Sequence, residues 1–310
     1  MKAGLLNSLG LHVRLGDPQS HGNLTIFPLV GEDEGPPPYL FLQDALKEGL
    51  VEVGEVGGAV VSELVATNRG ERDLLLIMGE ELLGAKQNRM VNVTVLVPAM
   101  ASLRVPVSCT EKGRWRQEKW GMKMARTSDH YTTCCLRQTL LGSVSDSINL
   151  RKTYRSDQVE IWHAISRSLS SLRIDSETGA QSELFTGKKA DMEGYLGHFH
   201  SIPDQVGMVG VVKGELKGLD LFGSEDTMKK MFKKLLESYI IEAIPDARES
   251  CGTMGAEVED FLDDVQRAKV KRMPAPGKGE HLLLEGRKQR GMALVTDDRL
   301  LHLYSAPWTG

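Results

Sequence analysis

The sequence predicts an α+β protein, with an antiparallel, β-rich N-terminal sheet or sandwich followed by a mixed helix-plus-hairpin C-terminal part. Between residues 24 and 109, short apolar or alternating runs follow one another with little helical pattern between them, which is typical of antiparallel sheets. After residue 157, amphipathic helical patterns alternate with pairs of strand patterns. We therefore place a β-rich domain at residues 1–125 and a mixed α+β part at residues 126–310, leaving open whether they share one core.

The first elements are assigned from turn residues and periodicity. Residues 24–29 are predicted to form an edge strand, because Pro28 has no N–H to donate to a central ladder. A short helix is predicted over residues 39–47, ending at Gly49. Further strands are predicted at residues 50–53, 62–68 and 74–78.

A hairpin is predicted over residues 90–109. Residues 90–97 and 103–109 each alternate apolar with polar side chains, so that each strand turns one face to the core, and residues 98–102 connect them. Residues 113–149 are polar and weakly periodic, and we predict a long excursion there, that is, a segment without regular secondary structure.

The C-terminal elements have clearer boundaries. Asp157 and Glu160 fit a capping box that starts a helix, and Ser224 precedes a second helix that stops at Pro245. The remaining predicted elements are a hairpin at residues 206–222, a helix at 256–268, and strands at 282–285, 292–296 and 300–304.

Composition excludes several classes of function. The formal charge is -4 over 310 residues, so bulk attraction to nucleic acid or to an anionic membrane is not expected. No apolar run approaches the roughly 20 residues of a membrane helix, and the N-terminus lacks the apolar core of a secretion signal. Four cysteines without a CxxC pair complete the prediction of a reduced, cytoplasmic protein with no metal site and no identifiable cofactor.

The densest polar run lies at residues 79–89, between two predicted strands. It contains two carboxylates, two cations and two amides: Glu80, Glu81, Lys86, Arg89, Gln87 and Asn88. Lys86 and Arg89 have the chemistry to bind an anion, and Glu80 or Glu81 that of a general base or an oxygen ligand. The alternative is a buried polar network that holds a loop, with Glu80 paired to Arg89.

A second polar cluster follows the predicted strand that ends at Cys109. Glu111, Arg114 and Trp115 are assigned to ligand binding, since Arg114 and Trp115 could clamp and stack on a base or sugar ring. Trp115 is equally well explained as a core side chain. Cys109 falls on the apolar face, where its ordinary role is that of a small hydrophobic residue. The alternative is that Cys109 is a catalytic nucleophile.

These two clusters resemble a known family. The residues that carry the resemblance are the run 79–89, Val95 to Pro98, Pro106 to Cys109, and Gly113 to Trp115, with weaker matches at 27–29, 218–222 and 234–239. They are similar to the domain named for its association with ADP-ribosylglycohydrolase and rhodanese-phosphatase proteins. The resemblance implies a link to ADP-ribose or nucleotide metabolism, and implies no particular mechanism.

Two functions are therefore expected from the sequence. The first is binding or hydrolysis of a small phosphorylated ligand of the ADP-ribose or nucleotide type, at a glycosidic or phosphoester bond. The second is a non-catalytic, homo-oligomeric or protein-binding assembly module, in which the polar run is a structural lock or a subunit contact. A ligand site requires a pocket where the two clusters meet, whereas a lock requires all their polar groups to be satisfied internally.

Overall fold

The computed structural model describes residues 4–9, 11–32, 35–56, 61–114, 123–246, 255–297 and 299–308. The chain divides into two compact units, which are described separately. Unit 1 consists of residues 1–37, 189–274 and 279–310, and unit 2 of residues 38–188 and 275–278. Helices combine with mostly antiparallel sheets, which confirms the α+β class.

The strands of the described residues are β1 (Val13–Leu15), β2 (Gln19–His21), β3 (Leu24–Gly31), β4 (Tyr39–Phe41), β5 (Val51–Glu55), β6 (Glu63–Asn68), β7 (Asp73–Leu76), β8 (Glu80–Gly84), β9 (Arg89–Val91), β10 (Val95–Val97), β11 (Ser102–Cys109), β12 (Met124–Tyr131), β13 (Gln205–Val212), β14 (Glu215–Phe222), β15 (Lys269–Pro274), β16 (Glu280–Glu285), β17 (Gln289–Thr296) and β18 (Arg299–Pro307).

The α-helices of the described residues are α1 (Leu5–Ser8), α2 (Leu42–Lys47), α3 (Cys134–Arg151), α4 (Gln158–Ser171), α5 (Ser182–Gly187), α6 (Lys189–Leu196), α7 (Glu225–Ala243) and α8 (Gly255–Gln266), and a short 3-10 turn covers Ile244–Asp246. Within these residues, no helix combines the length and the apolarity that crossing a membrane would require.

Unit 1 is built on one antiparallel sheet with the strand order β1-β3-β13-β14-β18-β17-β16-β15, and β2 also pairs with β3. Its core contains apolar side chains of β3, β13, β14 and β16 to β18, together with Val258, Phe261 and Val265 of α8. The helices predicted after Ser224 and over residues 256–268, and the hairpin and strands predicted in this part, are confirmed.

The prediction that residues 24–29 form an edge strand was wrong. β3 pairs with β13 along one side, and with β2 and β1 along the other. Pro28 is accommodated because β2 pairs with residues 24–26 and β1 with residues 29–31, so Pro28 falls between the two ladders. On this side the Pro28 carbonyl accepts a hydrogen bond from the Gly16 N–H at 2.8 Å.

Unit 2 contains two sheets. One has the order β12-β8-β9-β11-β6-β5, and the other has the order β10-β7-β4, in which β4 and β7 run parallel. α4 begins after Asp157, whose carboxylate accepts from the N–H groups of Val159 and Glu160, as the predicted helix start requires. Residues 39–47 form β4 followed by α2, so the helix predicted there is shorter than expected.

The hairpin predicted over residues 90–109 was also wrong. Residues 90–97 do not form one strand: β9 pairs with β11 and β8, whereas β10 pairs with β7 in the other sheet. The break lies at residues 92–94, where the Asn92 side chain donates to the Tyr154 carbonyl and the Thr94 hydroxyl accepts from the Met78 N–H. Both polar side chains are buried, so the alternation did not mark an exposed face.

The excursion predicted over residues 113–149 contains regular structure instead. β12 pairs with β8, and α3 extends over 18 residues. Thr133 caps α3 by accepting from the Leu136 N–H at 3.3 Å. The helix was not evident because its buried positions include Arg137 and Ser145, which interrupt an apolar stripe.

Candidate functional site

The two polar clusters come together on adjacent strands of unit 2. Glu81 of β8 lies opposite Met90 of β9, and Leu82 lies opposite Arg89, which in turn lies opposite Cys109 of β11. Because successive side chains of a strand point to opposite faces, Glu81 and Arg89 lie on opposite faces of the sheet. The predicted site residues therefore form two groups, one on each face.

The entry into β8 fixes the position of Glu81. Gly79 has φ +90°, and a Cβ at this position would lie 2.9 Å from Arg137 Cδ and 3.3 Å from Tyr131 Cε1. The Glu80 carboxylate accepts from the Ile77 N–H at 2.8 Å and closes the turn that precedes the strand. Glu80 thus has a local structural contact at the start of β8.

The first group, which we call the Glu81 group, consists of Glu81, Thr110, Ser128 and Gln181. Glu81 is 1% exposed, and its Oε1 accepts from the Thr110 hydroxyl at 2.6 Å. Its Oε2 and both amide atoms of the fully buried Gln181 make no hydrogen bond of good geometry, but Gln181 and Ser128 lie close enough to Glu81 to act as weaker donors. These buried polar groups are thus only partly satisfied, which is uncommon in folded proteins.

Burial raises the pKa of Glu81 to about 7. Thr110, Gln181 and Ser128 act in the opposite direction, and the negative charge of Glu111 adds to the rise. A carboxyl group with this pKa can both accept and give a proton near neutral pH, which is the property expected of a general acid/base.

The second group, which we call the Arg89 group, consists of Arg89, Gln87, Cys109 and Glu55. The Arg89 guanidinium is fully buried, and its Nη1 donates to Gln87 Oε1 at 3.2 Å and to Cys109 Sγ at 2.7 Å. Its ion pair is with Glu55, at 3.6 Å from Nη2 to Oε1, and not with Glu80. Nε and Nη2 of Arg89 have no hydrogen-bond partner.

Cys109 has the environment of a protonated thiol. Burial raises its pKa to about 11, against the lowering effect of Arg89. The thiol donates to Gln87 Oε1 at 2.8 Å, and the Gln158 side chain bonds to both the backbone N–H and the carbonyl of Cys109, at 2.8 and 2.9 Å. A reactive cysteine requires a lowered pKa, so these surroundings favour a structural role.

A third set of contacts, which we call the turn lock, holds residues 85–88 against residues 111–114. Glu111 Oε2 accepts from the Asn88 N–H at 3.2 Å and from Arg114 Nε at 2.9 Å. Arg114 also donates to the Ala85 carbonyl and to Asn88 Oδ1, and Gln87 Nε2 donates to the Glu111 carbonyl. Arg114, Gln87 and Asn88 therefore have partners within the protein.

The remaining predicted site residues are Lys86 and Trp115. Lys86 is half-buried and follows Ala85, whose φ of 47° belongs to the left-handed region that forms the turn. Trp115 lies outside the described residues. Within them, no group of three or more His, Cys, Asp or Glu side chains is arranged to hold a metal ion.

Several residues of these groups were not identified from the sequence. Thr110 could have been found, because strand alternation beyond Cys109 places it on the face of Glu81. Glu55, Gln158 and Gln181 lie far away in the sequence, and no local pattern marks them.

A cavity of about 370 Å³ in unit 2 lies between the end of α3 and the start of α4. Its lining includes the carboxylates of Asp146, Asp157 and Glu160 and the guanidinium groups of Arg151 and Arg155. Because the carboxylates outnumber the arginines, the charges of this cavity do not match a phosphorylated ligand.

These observations define the class of protein as an antiparallel α+β fold with a polar run that extends over β8 and the turn into β9. The chain belongs to the family of the ARG and Rhodanese-Phosphatase-superfamily-associated Protein domain, whose family model matches residues 12–306. The family resemblance inferred from the sequence is thereby confirmed. No curated protein and no solved structure matches the chain.

Proposed function

We propose that this protein hydrolyses a glycosidic or phosphoester bond of a small phosphorylated ligand of the ADP-ribose type, with Glu81 as the general acid/base. The observation that carries the proposal is a fully buried carboxyl group, Glu81, held by the Thr110 hydroxyl, in surroundings that raise its pKa to about 7. The family name supplies the substrate class, through its association with ARG proteins.

In the proposed reaction, Glu81 takes a proton from a water molecule as the water oxygen attacks the carbon or phosphorus of the scissile bond. The bond to the leaving oxygen then breaks, and that oxygen takes the proton back from Glu81, so the net change is hydrolysis. Gln181 orients the ligand through its buried amide, and Thr110 holds the carboxyl in position. Lys86 supplies positive charge for the anionic part of the ligand.

Access to Glu81 requires a local movement, since its carboxyl group is buried. Residues 178–181 lie along residues 110–113, with hydrogen bonds from the Gly113 N–H to Thr178 and from the Gln181 N–H to Thr110. In this proposal the segment moves aside when ligand binds. Hydrogen exchange of these two N–H groups in the presence and absence of ADP-ribose measures that movement.

The decisive experiment combines a ligand screen with an isosteric variant. Saturating ADP-ribose is expected to raise the stability of the wild type by a few kcal/mol, as a ligand specific for the folded state does. Glu81→Gln is expected to retain binding and to lower turnover by a factor of about 10²–10⁴. Asp129→Asn, at an exposed position of β12, is the matched control and is expected to have wild-type turnover. Full turnover in Glu81→Gln would exclude Glu81 as the acid/base.

A second candidate function is a non-catalytic assembly module, which the turn lock favours. Gln87, Asn88, Glu111 and Arg114 bind one another, as residues that only hold a loop would do. This function predicts that no phosphorylated ligand stabilises the protein. It also predicts that Lys86→Gln changes the mass measured by analytical ultracentrifugation, because Lys86 then belongs to a subunit contact.

A further inference from the structure

Unit 1 has a cavity of about 560 Å³ at the end of the β16–β17 hairpin, beside the end of α8 and the residue that follows β18. This volume is within the range of small-ligand sites in proteins, roughly 300–1,000 Å³. The cavity is separate from the Glu81 group, and its residues come from unit 1 alone.

Positive charge predominates in this cavity. Four cations line it, namely Arg267, Lys269, Arg287 and Arg290, against the two carboxylates Asp264 and Glu285. Asp264 is already occupied, because it accepts from the N–H groups of Arg287 and Lys288 at 2.9 Å each and pairs with the Arg287 guanidinium at 3.4 Å. The cavity therefore has an excess of cationic groups, which suits phosphate.

An aromatic ring forms part of the same wall. The guanidinium carbon of Arg290 lies 3.9 Å from the centre of the Trp308 ring. The position of Trp308 is fixed by a hydrogen bond from its N–H to the Lys288 carbonyl at 2.8 Å. A guanidinium stacked on an indole presents flat surfaces, on which a planar ring of a ligand can stack.

A buried amide points to a ligand independently of these charges. Gln289 lines the cavity and is 1% exposed; its Oε1 accepts from the Ser305 hydroxyl at 2.6 Å, and its Nε2 has no partner. Only glycine fits at position 286 beside this amide, since a Cβ there would lie 2.6 Å from Asp264 Oδ2 and 2.7 Å from Gln289 Nε2. A donor without a partner is costly in a buried position, and a ligand acceptor would satisfy it.

A purely structural explanation covers only part of this arrangement. Cations near the end of α8 compensate the helix dipole, which accounts for Arg267 and Lys269. Arg267 also pairs with Asp263 at 2.9 Å. The helix dipole does not explain the stacking of Arg290 on Trp308 or the unpaired Nε2 of Gln289.

We propose that this cavity binds a small phosphorylated molecule that carries a flat ring, of the chemical class of a mononucleotide. The phosphate lies among Arg267, Lys269 and Arg287, and the ring lies against the Arg290–Trp308 pair. The Gln289 amide donates to an oxygen of the ligand. This site does not depend on the function proposed for Glu81.

The test uses adenosine 5′-monophosphate, ribose 5-phosphate and inorganic pyrophosphate as probes, with titration calorimetry on the full chain. The wild type is expected to bind the monophosphate at least about tenfold more tightly than ribose 5-phosphate, because only the nucleotide has a ring to stack. Pyrophosphate is expected to bind as weakly as ribose 5-phosphate. Absence of nucleotide binding, or equal affinity for all three probes, would overturn the proposal.

Two variants and one control locate the binding. Arg290→Gln, and Gln289→Glu, which keeps the acceptor for Ser305, are each expected to weaken nucleotide binding about tenfold or more. Arg272→Gln, on the exposed side of β15, removes the same charge and is expected to change affinity less than about twofold. Equal losses in Arg272→Gln and Arg290→Gln would show only non-specific charge attraction and contradict the site.

Glu81→Gln is expected to leave the affinity for adenosine 5′-monophosphate unchanged, whereas Arg290→Gln is expected to lower it. The failure of one proposal is therefore distinguishable from the failure of the other. Circular dichroism melts of each variant establish that a loss of binding is not a loss of folding.

Discussion

Asp264 of unit 1 and Glu81 of unit 2 are both buried carboxyl groups, with exposures of 6% and 1%, and their surroundings act in opposite directions. Burial on its own would raise the pKa of Asp264, but hydrogen bonds from the N–H groups of Arg287 and Lys288 and the nearby Arg287 charge lower it. Glu81 has one hydroxyl donor of ordinary geometry, and burial raises its pKa to about 7.

The two carboxyl groups differ in what opposes the effect of burial on the pKa. Asp264 binds two consecutive backbone N–H groups and thereby attaches the β16–β17 turn to α8, a role that requires the ionised form. Glu81 lacks such donors, so its neutral form is favoured and a proton can be exchanged near neutral pH. In Asp264 the backbone donors and the Arg287 charge outweigh burial, whereas in Glu81 the deeper burial outweighs the hydrogen bonds of its neighbours.

The largest expected effect is on the pH dependence of stability. The pKa of Glu81 rises from 4.5 to about 7 on folding, so between these values the folded protein binds a proton that the unfolded chain does not. Stability therefore falls as the pH rises through this range, by about 2–3 kcal/mol between pH 5 and pH 8. Glu81→Gln removes this loss, and is expected to be more stable than the wild type by about that amount at pH 8.

Urea denaturation at pH 5 and pH 8 measures this difference, and Asp129→Asn is the control for the removal of an exposed charge. Parallel pH profiles for Glu81→Gln and the wild type would mean that Glu81 titrates normally, and the contrast with Asp264 would disappear.

Asp264→Asn is expected to lower stability at neutral pH, whereas Glu81→Gln raises it. The amide replaces one carboxylate oxygen by a donor that faces a backbone N–H, so we expect a loss of about 2 kcal/mol. Because folding lowers the pKa of Asp264, this stabilisation is present above its unfolded value of 3.8 and is lost as the pH falls through the lower folded value. The stability that Asp264→Asn loses relative to the wild type should therefore become smaller at acidic pH.

Asp263→Asn is the matched control, since Asp263 is an exposed neighbour that pairs with Arg267. Denaturation at pH 7 and near pH 3 provides the measurement. A similar loss in both variants would mean that the two backbone donors of the turn contribute little.

The fold could be predicted from the sequence where a pattern is local. The start of α4 at Asp157 and the strands of the β13–β14 hairpin were predicted because a cap or an alternation marks each of them within a few residues. The pairing of β10 with β7, and not with β11, depends on burial of Asn92 and Thr94 by partners distant in the sequence. Alternation cannot reveal such burial.

The candidate site was predictable to the same extent. The polar run at residues 79–89 was evident, and so was its proximity to residues 109–114. Which carboxylate has the raised pKa was not evident, because that depends on burial, the hydroxyl of Thr110 and the amide of Gln181, and because Arg89 pairs with Glu55. These contacts exist only in the folded chain.

Thr110→Val is expected to widen the pKa difference between Glu81 and Asp264, with a smaller effect on stability than the variants above. It removes the one donor of ordinary geometry to Glu81, so the pKa of Glu81 should rise further and the stability at pH 8 should fall by about 1 kcal/mol. Thr67→Val, which loses a hydroxyl contact with Ser102 on an exposed strand, is the control. An unchanged midpoint of the pH–stability curve would contradict a role for Thr110 in setting this pKa.

The smallest expected effect concerns Gln181, and it distinguishes a residue that serves the fold from one that serves a ligand. Neither amide atom of Gln181 has a partner of ordinary geometry, so Gln181→Leu at pH 5 should leave stability unchanged or raise it by up to about 1 kcal/mol. Gln205 is the matched control, because it is equally buried but accepts from the Ile202 N–H and donates to the Gly207 carbonyl. Gln205→Leu should therefore lose about 2 kcal/mol or more. If Gln181→Leu loses as much, its amide serves the fold and not a ligand; if it keeps its stability and loses ADP-ribose binding, the amide is held unsatisfied for a ligand.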